Sequence, residues 1–232
     1  MDKKEALKIV KEDGFKLKNL PAHFKKDRKI VLAALRDTSG GVLDYIDDRF
    51  KKDKKFILEA VKIEYFILQF ADDSLKKDKE IVLEAVKHNG YVLEYADKVF
   101  KKDKKFILEA VKLSGVALKY ADKSLKKDRK IVLAAVKQGG HALKYADKSL
   151  KKDRKIVLAA VKQNGHALEY ADKIFKKDRK IVLEAVKKYY WTLKYADASL
   201  RKDPDILAVV NKKKKWIKTY RILWEYWSKT GA

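Results

Sequence analysis

Pairs of basic residues recur along this chain, each directly before an aspartate and a run of apolar residues. Lysine binds phosphate oxygens as a mobile point charge, and backbone amides at the start of a helix also attract anions. These residues therefore indicate the binding of phosphate or of another polyanion. We expect the contacts to come from Lys76, Lys77, Lys101, Lys102, Lys126, Lys127, Arg129, Lys151, Lys152, Arg154, Lys176, Lys177 and Arg179.

The net charge supports this interpretation. The 232 residues carry a formal charge of +25, and lysine supplies nearly all of it. The electrostatic field of such a positive charge attracts nucleic acid, anionic membrane or acidic protein. Arginine, which reads guanine edges bidentately, is rare, so nucleic acid would be held through its backbone with little sequence specificity. The alternative is that the lysines only keep an exposed face solvated.

A second candidate is a series of aromatic or histidine pairs four residues apart, which places both members on one helix face. Exposed rings would stack nucleobases beside the lysines, whereas buried rings would pack between neighbouring structural units. The repetition favours packing. The residues that would make contact with a partner are Tyr91, Tyr95, His141, Tyr145, His166, Tyr170, Trp191 and Trp216.

Groupings typical of enzymes or metal sites are scarce. The chain has no cysteine, which excludes disulfides and thiolate metal sites and favours a cytoplasmic protein. His141 and His166 occupy equivalent places in successive units, which indicates one structural position and not a metal pair. Phosphate-cradling glycine loops and nucleophile motifs are absent. We therefore predict no enzymatic activity, no metal and no cofactor.

These residues are positioned by a repeat of roughly 25 residues. Its marker is the aspartate after the basic pair, found as Asp27, Asp53, Asp78, Asp103, Asp128, Asp153, Asp178 and Asp203. A fixed short period indicates stacked units that bury their apolar faces against one another. We predict an all-α fold, a right-handed α-solenoid of short helical pairs over residues 25–203. Residues 1–24 are predicted to be a divergent N-terminal half-repeat or cap.

Within one repeat, Asp153 is predicted to be the N-cap of an apolar helix that Gly165 ends with a left-handed cap. A shorter helix is then predicted from His166 to about Asp172, and Phe175 is expected to pack inward. The same capping role is predicted for Gly40, Gly90, Gly115 and Gly140. The recurrent carboxylates Asp97, Asp122, Asp147 and Asp172 are expected to cap the next turn or to pair with lysine.

The pattern KKDRKIVLAAVKQNGHALEYAD, residues 151–172, resembles the repeat family catalogued as domain of unknown function 4116. The resemblance extends roughly from Lys25 to Asp203 and includes the aspartate, the apolar block, the glycine and the LxYA element. It implies an all-α repeat array without an established activity or catalytic residues. Tyr65 and Tyr190 depart from the pattern because they occupy the glycine position, and the extreme C-terminus departs from it as well.

Residues 204–232 leave the repeat after Pro204 and combine four lysines, Lys212 to Lys215, with aromatic residues. A solenoid end needs a cap, and an aromatic, basic helix would provide one. The alternative is an amphipathic helix in a membrane interface or in a partner's groove. The residues at helical spacing are Trp216, Tyr220, Leu223 and Trp227, with Trp224 close by. The N-terminus does not resemble a signal peptide, and no apolar run is long enough to span a membrane.

Together these features predict a non-enzymatic module that binds a polyanion, with nucleic acid as the first expectation. Two alternatives remain open at this point. The chain would otherwise be a scaffold that holds an acidic protein or complex, or a designed consensus repeat protein without a partner.

Overall fold

A computed structural model describes the backbone of residues 1–36, 38 and 41–230, and their side chains except at positions 217, 218 and 221–230. The described residues form helices and turns without any β-strand, which confirms the all-α prediction. The chain falls into two compact units, Met1–Asp122 and a second that begins at Lys123. None of the described helices is both long and apolar enough to cross a membrane.

Both units contain α-helices separated by 3-10 helices. In the first unit the α-helices are α1 (Lys3–Glu12), α2 (Arg28–Ala34), α3 (Arg49–Lys52), α4 (Lys54–Ile63), α5 (Lys79–His88), α6 (Lys98–Lys102) and α7 (Lys104–Leu113). In the second they are α8 (Arg129–Gln138), α9 (Arg154–Gln163), α10 (Lys173–Lys176), α11 (Arg179–Lys188) and α12 (Pro204–Thr230). The longer 3-10 helices are Gly14–Asn19, Tyr65–Gln69, Gly90–Glu94, Gly115–Tyr120, Gly140–Tyr145, Gly165–Tyr170 and Tyr190–Tyr195. The short ones are Phe24–Lys26, Leu75–Lys77, Leu125–Lys127, Leu150–Lys152 and Leu200–Lys202.

A typical repeat consists of one long α-helix, one longer 3-10 helix and one short helical turn. In the first unit α1, α2, α4, α5 and α7 each pack on the next in this order, and in the second unit α8, α9, α11 and α12 do the same. Consecutive helices thus stack as in a solenoid, and the core lies between them. Helix α9 is representative, since it buries Ile156, Val157, Ala160 and Val161. The right-handed superhelical sense stays a prediction.

The aspartate of each repeat caps the long helix, as its position predicts. The Asp153 carboxylate accepts hydrogen bonds from the amides of Lys155 at 2.8 Å and Ile156 at 3.1 Å. Asp2 caps α1 in the same way, so residues 1–24 begin as the other repeats do. Such a cap satisfies amides that have no partner within the helix and is worth about 1 kcal/mol.

Replacing Asp153 by alanine should lower the free energy of unfolding by about 1 kcal/mol, since the cap is lost. Asparagine caps as well as aspartate, so Asp153→Asn should lose only an exposed ion pair, worth about 0 to 1 kcal/mol. Urea unfolding of the two variants beside the wild type measures both values. Equal destabilisation by the two substitutions would contradict a dominant role for the cap.

The predicted role of the glycines was wrong. Helix α9 ends before Gly165, at an extended Asn164 with φ −147°, and Gly165 begins the following 3-10 helix. A Cβ atom on Gly165 would lie 2.6 Å from the carbonyl oxygen of Ala185 in the next repeat, and one on Gly140 would lie 2.4 Å from that of Ala160. These glycines are needed for close approach between repeats and not for a left-handed φ. A Cβ atom on Gly90 would lie 2.7 Å from the Ser114 hydroxyl and 2.9 Å from the backbone nitrogen of Ala117. Gly115 also begins a 3-10 helix, and Gly40 lies outside the described residues.

The predicted second helix, His166 to about Asp172, is a 3-10 helix that ends two residues earlier, at Tyr170. Its inward side chains, Ala167 and Leu168, are fully buried, and Phe175 of the next turn is buried as predicted. The residues that correspond to Phe175 in other repeats are buried as well, except that Leu150 and Leu200 are half-buried. In most repeats the second segment thus adds two apolar side chains to the core.

A backbone hydrogen bond links each repeat to the one before it. In the second unit the amide of Asp172 donates to the carbonyl of Lys151 at 3.1 Å, and Asp97 repeats this contact with Lys76 in the first unit. The carboxylate of the same aspartate caps the following turn, as its recurrence predicts. In Asp147, hydrogen bonds from the Ser149 amide and hydroxyl lower the pKa of the carboxyl.

Candidate polyanion-binding surface

The basic residues predicted to bind a polyanion occupy three different environments. The first lysine of each pair is half-buried, and three of these lysines turn back onto the preceding 3-10 helix, where the ammonium group donates to a backbone carbonyl seven residues earlier. The bonds are Lys101 to Glu94 at 3.2 Å, Lys151 to Lys144 at 2.8 Å and Lys176 to Glu169 at 2.8 Å. Burial lowers the pKa of the Lys151 ammonium. Lys126 is half-buried in the same position, whereas the ammonium of Lys76 pairs with Asp73 at 3.2 Å.

The arginine at the start of each helix forms an ion pair with the capping aspartate of the next repeat. In the second unit the pairs are Arg129 with Asp153 at 2.8 Å, Arg154 with Asp178, and Arg179 with Asp203 at 2.9 Å and with Asp205. These guanidinium groups lower the pKa of the Asp153, Asp178 and Asp203 carboxyls. Three predicted contacts are thus already engaged within the protein.

The same ion pairs occur in the first unit, where Arg28 lies 3.1 Å from Asp53 and Lys54 lies 2.8 Å from Asp78. These ion pairs join different repeats, so the pattern within a single helix does not predict them. Their sequence signal is a basic residue and an aspartate separated by one repeat. Two helix glutamates follow this pattern, because Glu59 pairs with Arg28 and Glu109 with Lys79 of the preceding repeat. Glu84 and Glu184 instead pair with a lysine three residues later in their own helices.

The second lysine of each pair points into solvent. We use "lysine row" for Lys127, Lys152 and Lys177, which are exposed at equivalent positions of successive repeats in the second unit. The ammonium of Lys177 lies 4.0 Å from Asp197, at the limit of an ion pair, and its side chain is 68% exposed. Packed helices lie about 8–10 Å apart, so the row places one mobile charge at each such interval. Lys77 and Lys102 occupy the same position in the first unit.

The aromatic series packs between repeats. The His141 ring lies 6.2 Å from Tyr170, and the Tyr91 ring lies 6.4 Å from Tyr120 in an edge-to-face arrangement. Tyr95, Tyr145, Tyr170 and His166 are half-buried, whereas Tyr91, His141 and Trp191 are exposed. Lysines cover several rings, for example Lys144 at 5.9 Å above Tyr170. The series is therefore an inter-repeat contact that leaves some aromatic surface open to solvent.

The C-terminal helix covers the last repeat with its first two turns. Ile206 and Val210 are buried, and α12 packs on α11. Trp216 and Tyr220 instead stack on each other at 5.5 Å and are 66% and 60% exposed. These two aromatic side chains therefore do not form the predicted cover. The side chains of Leu223, Trp224 and Trp227 lie outside the described residues.

The two histidines of the second unit face each other. Their rings stack at 6.0 Å, and Nε2 of His166 accepts a hydrogen bond from the indole N–H of Trp191 at 2.7 Å. The indole nitrogen only donates, so this bond requires His166 Nε2 to be unprotonated. Among the side chains that the structure describes, no group of three or more histidines and carboxylates could hold a metal ion.

Comparison with protein families gives eight overlapping matches to one family model, described as "Domain of unknown function (DUF4116)". The matched segments are residues 2–51, 37–76, 53–101, 78–126, 103–151, 128–176, 153–201 and 178–208. They begin before Lys25 and so include the N-terminal segment that Asp2 caps. No curated protein and no solved structure matches the chain.

Proposed function

The chain belongs to the DUF4116 family, whose description assigns no activity, so we propose its function from the residues exposed on its surface. We propose that it is a non-enzymatic binding protein whose lysine row contacts the phosphate backbone of nucleic acid. The observation that carries this proposal is the difference between the three basic positions. Two are engaged with carbonyls or aspartates of the protein, whereas the third is exposed in successive repeats, and at Lys177 its ion pair is at the 4.0 Å limit.

Exposed ion pairs contribute about 0 to 1 kcal/mol, so exchanging Asp197 for a phosphate at Lys177 costs little. Each phosphate that a lysine neutralises releases condensed counterions, and this release drives association. The arginines that start the helices beside the lysine row are paired with aspartates, namely Arg129 with Asp153, Arg154 with Asp178 and Arg179 with Asp203. Binding through the lysine row should consequently show little preference for sequence.

The proposal predicts strong salt dependence. Three lysines that each neutralise one phosphate give a log–log slope of about −2 to −3, or a 20- to 40-fold loss of affinity between about 50 and 200 mM salt. Fluorescence anisotropy with labelled mixed-sequence DNA and RNA oligomers measures this slope. Affinity that is independent of salt would contradict binding through phosphates.

The triple variant Lys127→Gln, Lys152→Gln, Lys177→Gln should remove most of this salt dependence, reducing the slope by about 2 to 3. The matched control changes Lys137, Lys162 and Lys187 to glutamine, and these lysines are exposed in the last turns of α8, α9 and α11. Its net charge falls by the same amount, and its slope should change much less. Equal losses in both triple variants would indicate that general charge, and not the lysine row, holds the nucleic acid.

Failure of both DNA and RNA to bind at about 50 mM salt would reject nucleic acid as the partner, since electrostatic binding is strongest there. An acidic protein or complex would then be the partner to seek.

A further inference from the structure

A shallow cleft of about 380 Å³ lies near the C-terminal end of the repeats in the second unit. Two aromatic residues, Tyr190 and Trp191, and three cationic ones, Lys194, Arg201 and Lys214, line it together with two aliphatic side chains. No carboxylate belongs to this lining, whereas a cleft of similar size in the first unit includes Asp73, Glu94 and Asp97. The combination of rings and cations in a lining without carboxylates suits a ligand that is both planar and anionic.

The cleft combines two departures from the repeat pattern. Tyr190 stands where Gly140 and Gly165 permit close packing, as Tyr65 does in an earlier repeat, and Arg201 stands where Lys151 and Lys176 occur. Residues that recur in each repeat indicate structure, but departures that converge on one cleft create a single asymmetric site. This is the arrangement that specific binding of a small ligand needs.

Arg201 is available to a ligand. Lys151 and Lys176 use their ammonium groups to bind a carbonyl of the preceding 3-10 helix. The exposed Arg201 guanidinium makes no hydrogen bond or close ion pair with any described residue, and only its charge acts on a carboxylate, where it helps to lower the pKa of Asp197. A guanidinium fork matches two phosphate oxygens. The ammonium of Lys214 lies 5.9 Å above the Tyr190 ring and adds a second positive charge.

Trp191 is fixed in position before any ligand arrives. One face of its ring stacks on Tyr189 at 4.8 Å with 21° between the planes, and its indole N–H donates to His166. The side chain is nevertheless 43% exposed, so ring surface away from Tyr189 remains open. A ring held in this way loses little freedom when a base stacks on it.

We propose that this cleft binds a nucleoside phosphate, with the base stacked on Trp191 and the phosphate held by Arg201, Lys194 and Lys214. A free nucleotide and a nucleotide within a single strand offer the same chemistry. The inference goes beyond the lysine row, because no residue of the row lines the cleft. Nucleotide binding in the cleft can therefore be disproved while binding of nucleic acid by the lysine row is confirmed, and the lysine row can be disproved while the cleft is confirmed.

Isothermal titration with adenosine monophosphate, adenosine and inorganic phosphate tests the cleft. Adenosine monophosphate should bind at least about tenfold more tightly than adenosine or inorganic phosphate, because only the nucleotide contacts both the Trp191 ring and the cationic side chains. Trp191→Leu and Arg201→Gln should each weaken nucleotide binding about tenfold, and Trp191→Phe should retain most of it. The matched controls are Tyr91→Leu, at the equivalent exposed position of an earlier repeat, and Lys202→Gln, the exposed neighbour of Arg201.

The inference is wrong if the nucleotide shows no saturable binding at about 10 mM, a ceiling that corresponds to negligible affinity. It is also wrong if Trp191→Leu and Arg201→Gln bind the nucleotide as the wild type does. Nucleotide binding should persist in the lysine-row triple variant, which separates the two proposals. In that variant, displacement of the nucleotide by a single strand of about ten nucleotides would identify a nucleic acid strand as the natural ligand. Failure of the strand to displace it would identify the free nucleotide as the natural ligand.

Discussion

Replacing Gly140 by alanine is expected to lower the free energy of unfolding by about 1 to 3 kcal/mol, the usual cost of overpacking a tight contact. The added methyl group would lie 2.4 Å from the carbonyl oxygen of Ala160 and 2.9 Å from the backbone nitrogen of Asn164. Both neighbours are backbone atoms of the next repeat, so relief requires the two repeats to move apart. The substitution therefore weakens the interface between consecutive repeats.

The neighbouring residue provides the control for this substitution. Gly139 has an extended backbone, with φ −151°, and no atom lies within 4 Å of a Cβ built on it. Alanine at Gly139 should therefore leave stability unchanged or raise it by about 0.4 to 1 kcal/mol, because it restricts the unfolded chain. Of the two adjacent glycines, only Gly140 should therefore be destabilised by alanine.

Urea unfolding of Gly140→Ala and Gly139→Ala measures both effects, and Gly165→Ala should behave like the former, since its Cβ would lie 2.6 Å from the carbonyl oxygen of Ala185. If Gly140→Ala and Gly139→Ala had the same effect, the close approach between repeats would not explain the glycine.

The repeat, the capping aspartates and the buried apolar block could be predicted from the sequence because each depends on neighbours within one helix. Asp153, for example, caps amides two and three residues further along. The role of Gly165 could not be found in this way, since the atom that excludes a side chain there belongs to Ala185 of the next repeat. Glycine at the end of a helix is typical of a left-handed cap, and only the packing distinguishes the two explanations.

The candidate site shows the same limit. Composition indicates a basic protein, but it assigns every lysine and arginine the same potential to bind. The structure separates Arg129, which pairs with Asp153, from Lys127, which faces solvent two residues earlier. Part of the positive charge therefore stabilises contacts between repeats, and the surface available to a polyanion is smaller than the net charge of +25 suggests.

Acid should destabilise the protein progressively below about pH 4, the usual pKa of aspartate, because the pKa of many capping carboxyls is lowered in the folded state. The lowered pKa values belong to Asp27, Asp72, Asp78, Asp147, Asp153, Asp178, Asp197 and Asp203. In this range the unfolded chain binds more protons than the folded one, so the free energy of unfolding rises with pH. The contribution is complete above about pH 5 and is lost as pH falls through the folded pKa values.

Asp178 isolates this effect in one residue. Arg154 and the amide of Ile181 hold its carboxylate, and the arginine is the larger cause of its lowered pKa. Asparagine keeps the cap but cannot be charged, so Asp178→Asn should be less stable than the wild type by up to about 1 kcal/mol at neutral pH. Thermal melts from pH 7 to pH 3 should show this difference shrinking as the wild-type carboxyl becomes protonated.

Glu169→Gln is the matched control, because this exposed side chain makes no hydrogen bond or ion pair with a described residue and the substitution removes the same charge. Its melting temperature should run parallel to that of the wild type at every pH. A constant difference between Asp178→Asn and the wild type over the whole range would show that the arginine pair does not contribute to acid sensitivity. Loss of the difference below pH 4 would instead tie the acid response to the ion pairs that join consecutive repeats, since the same pairing recurs at Asp153 and Asp203.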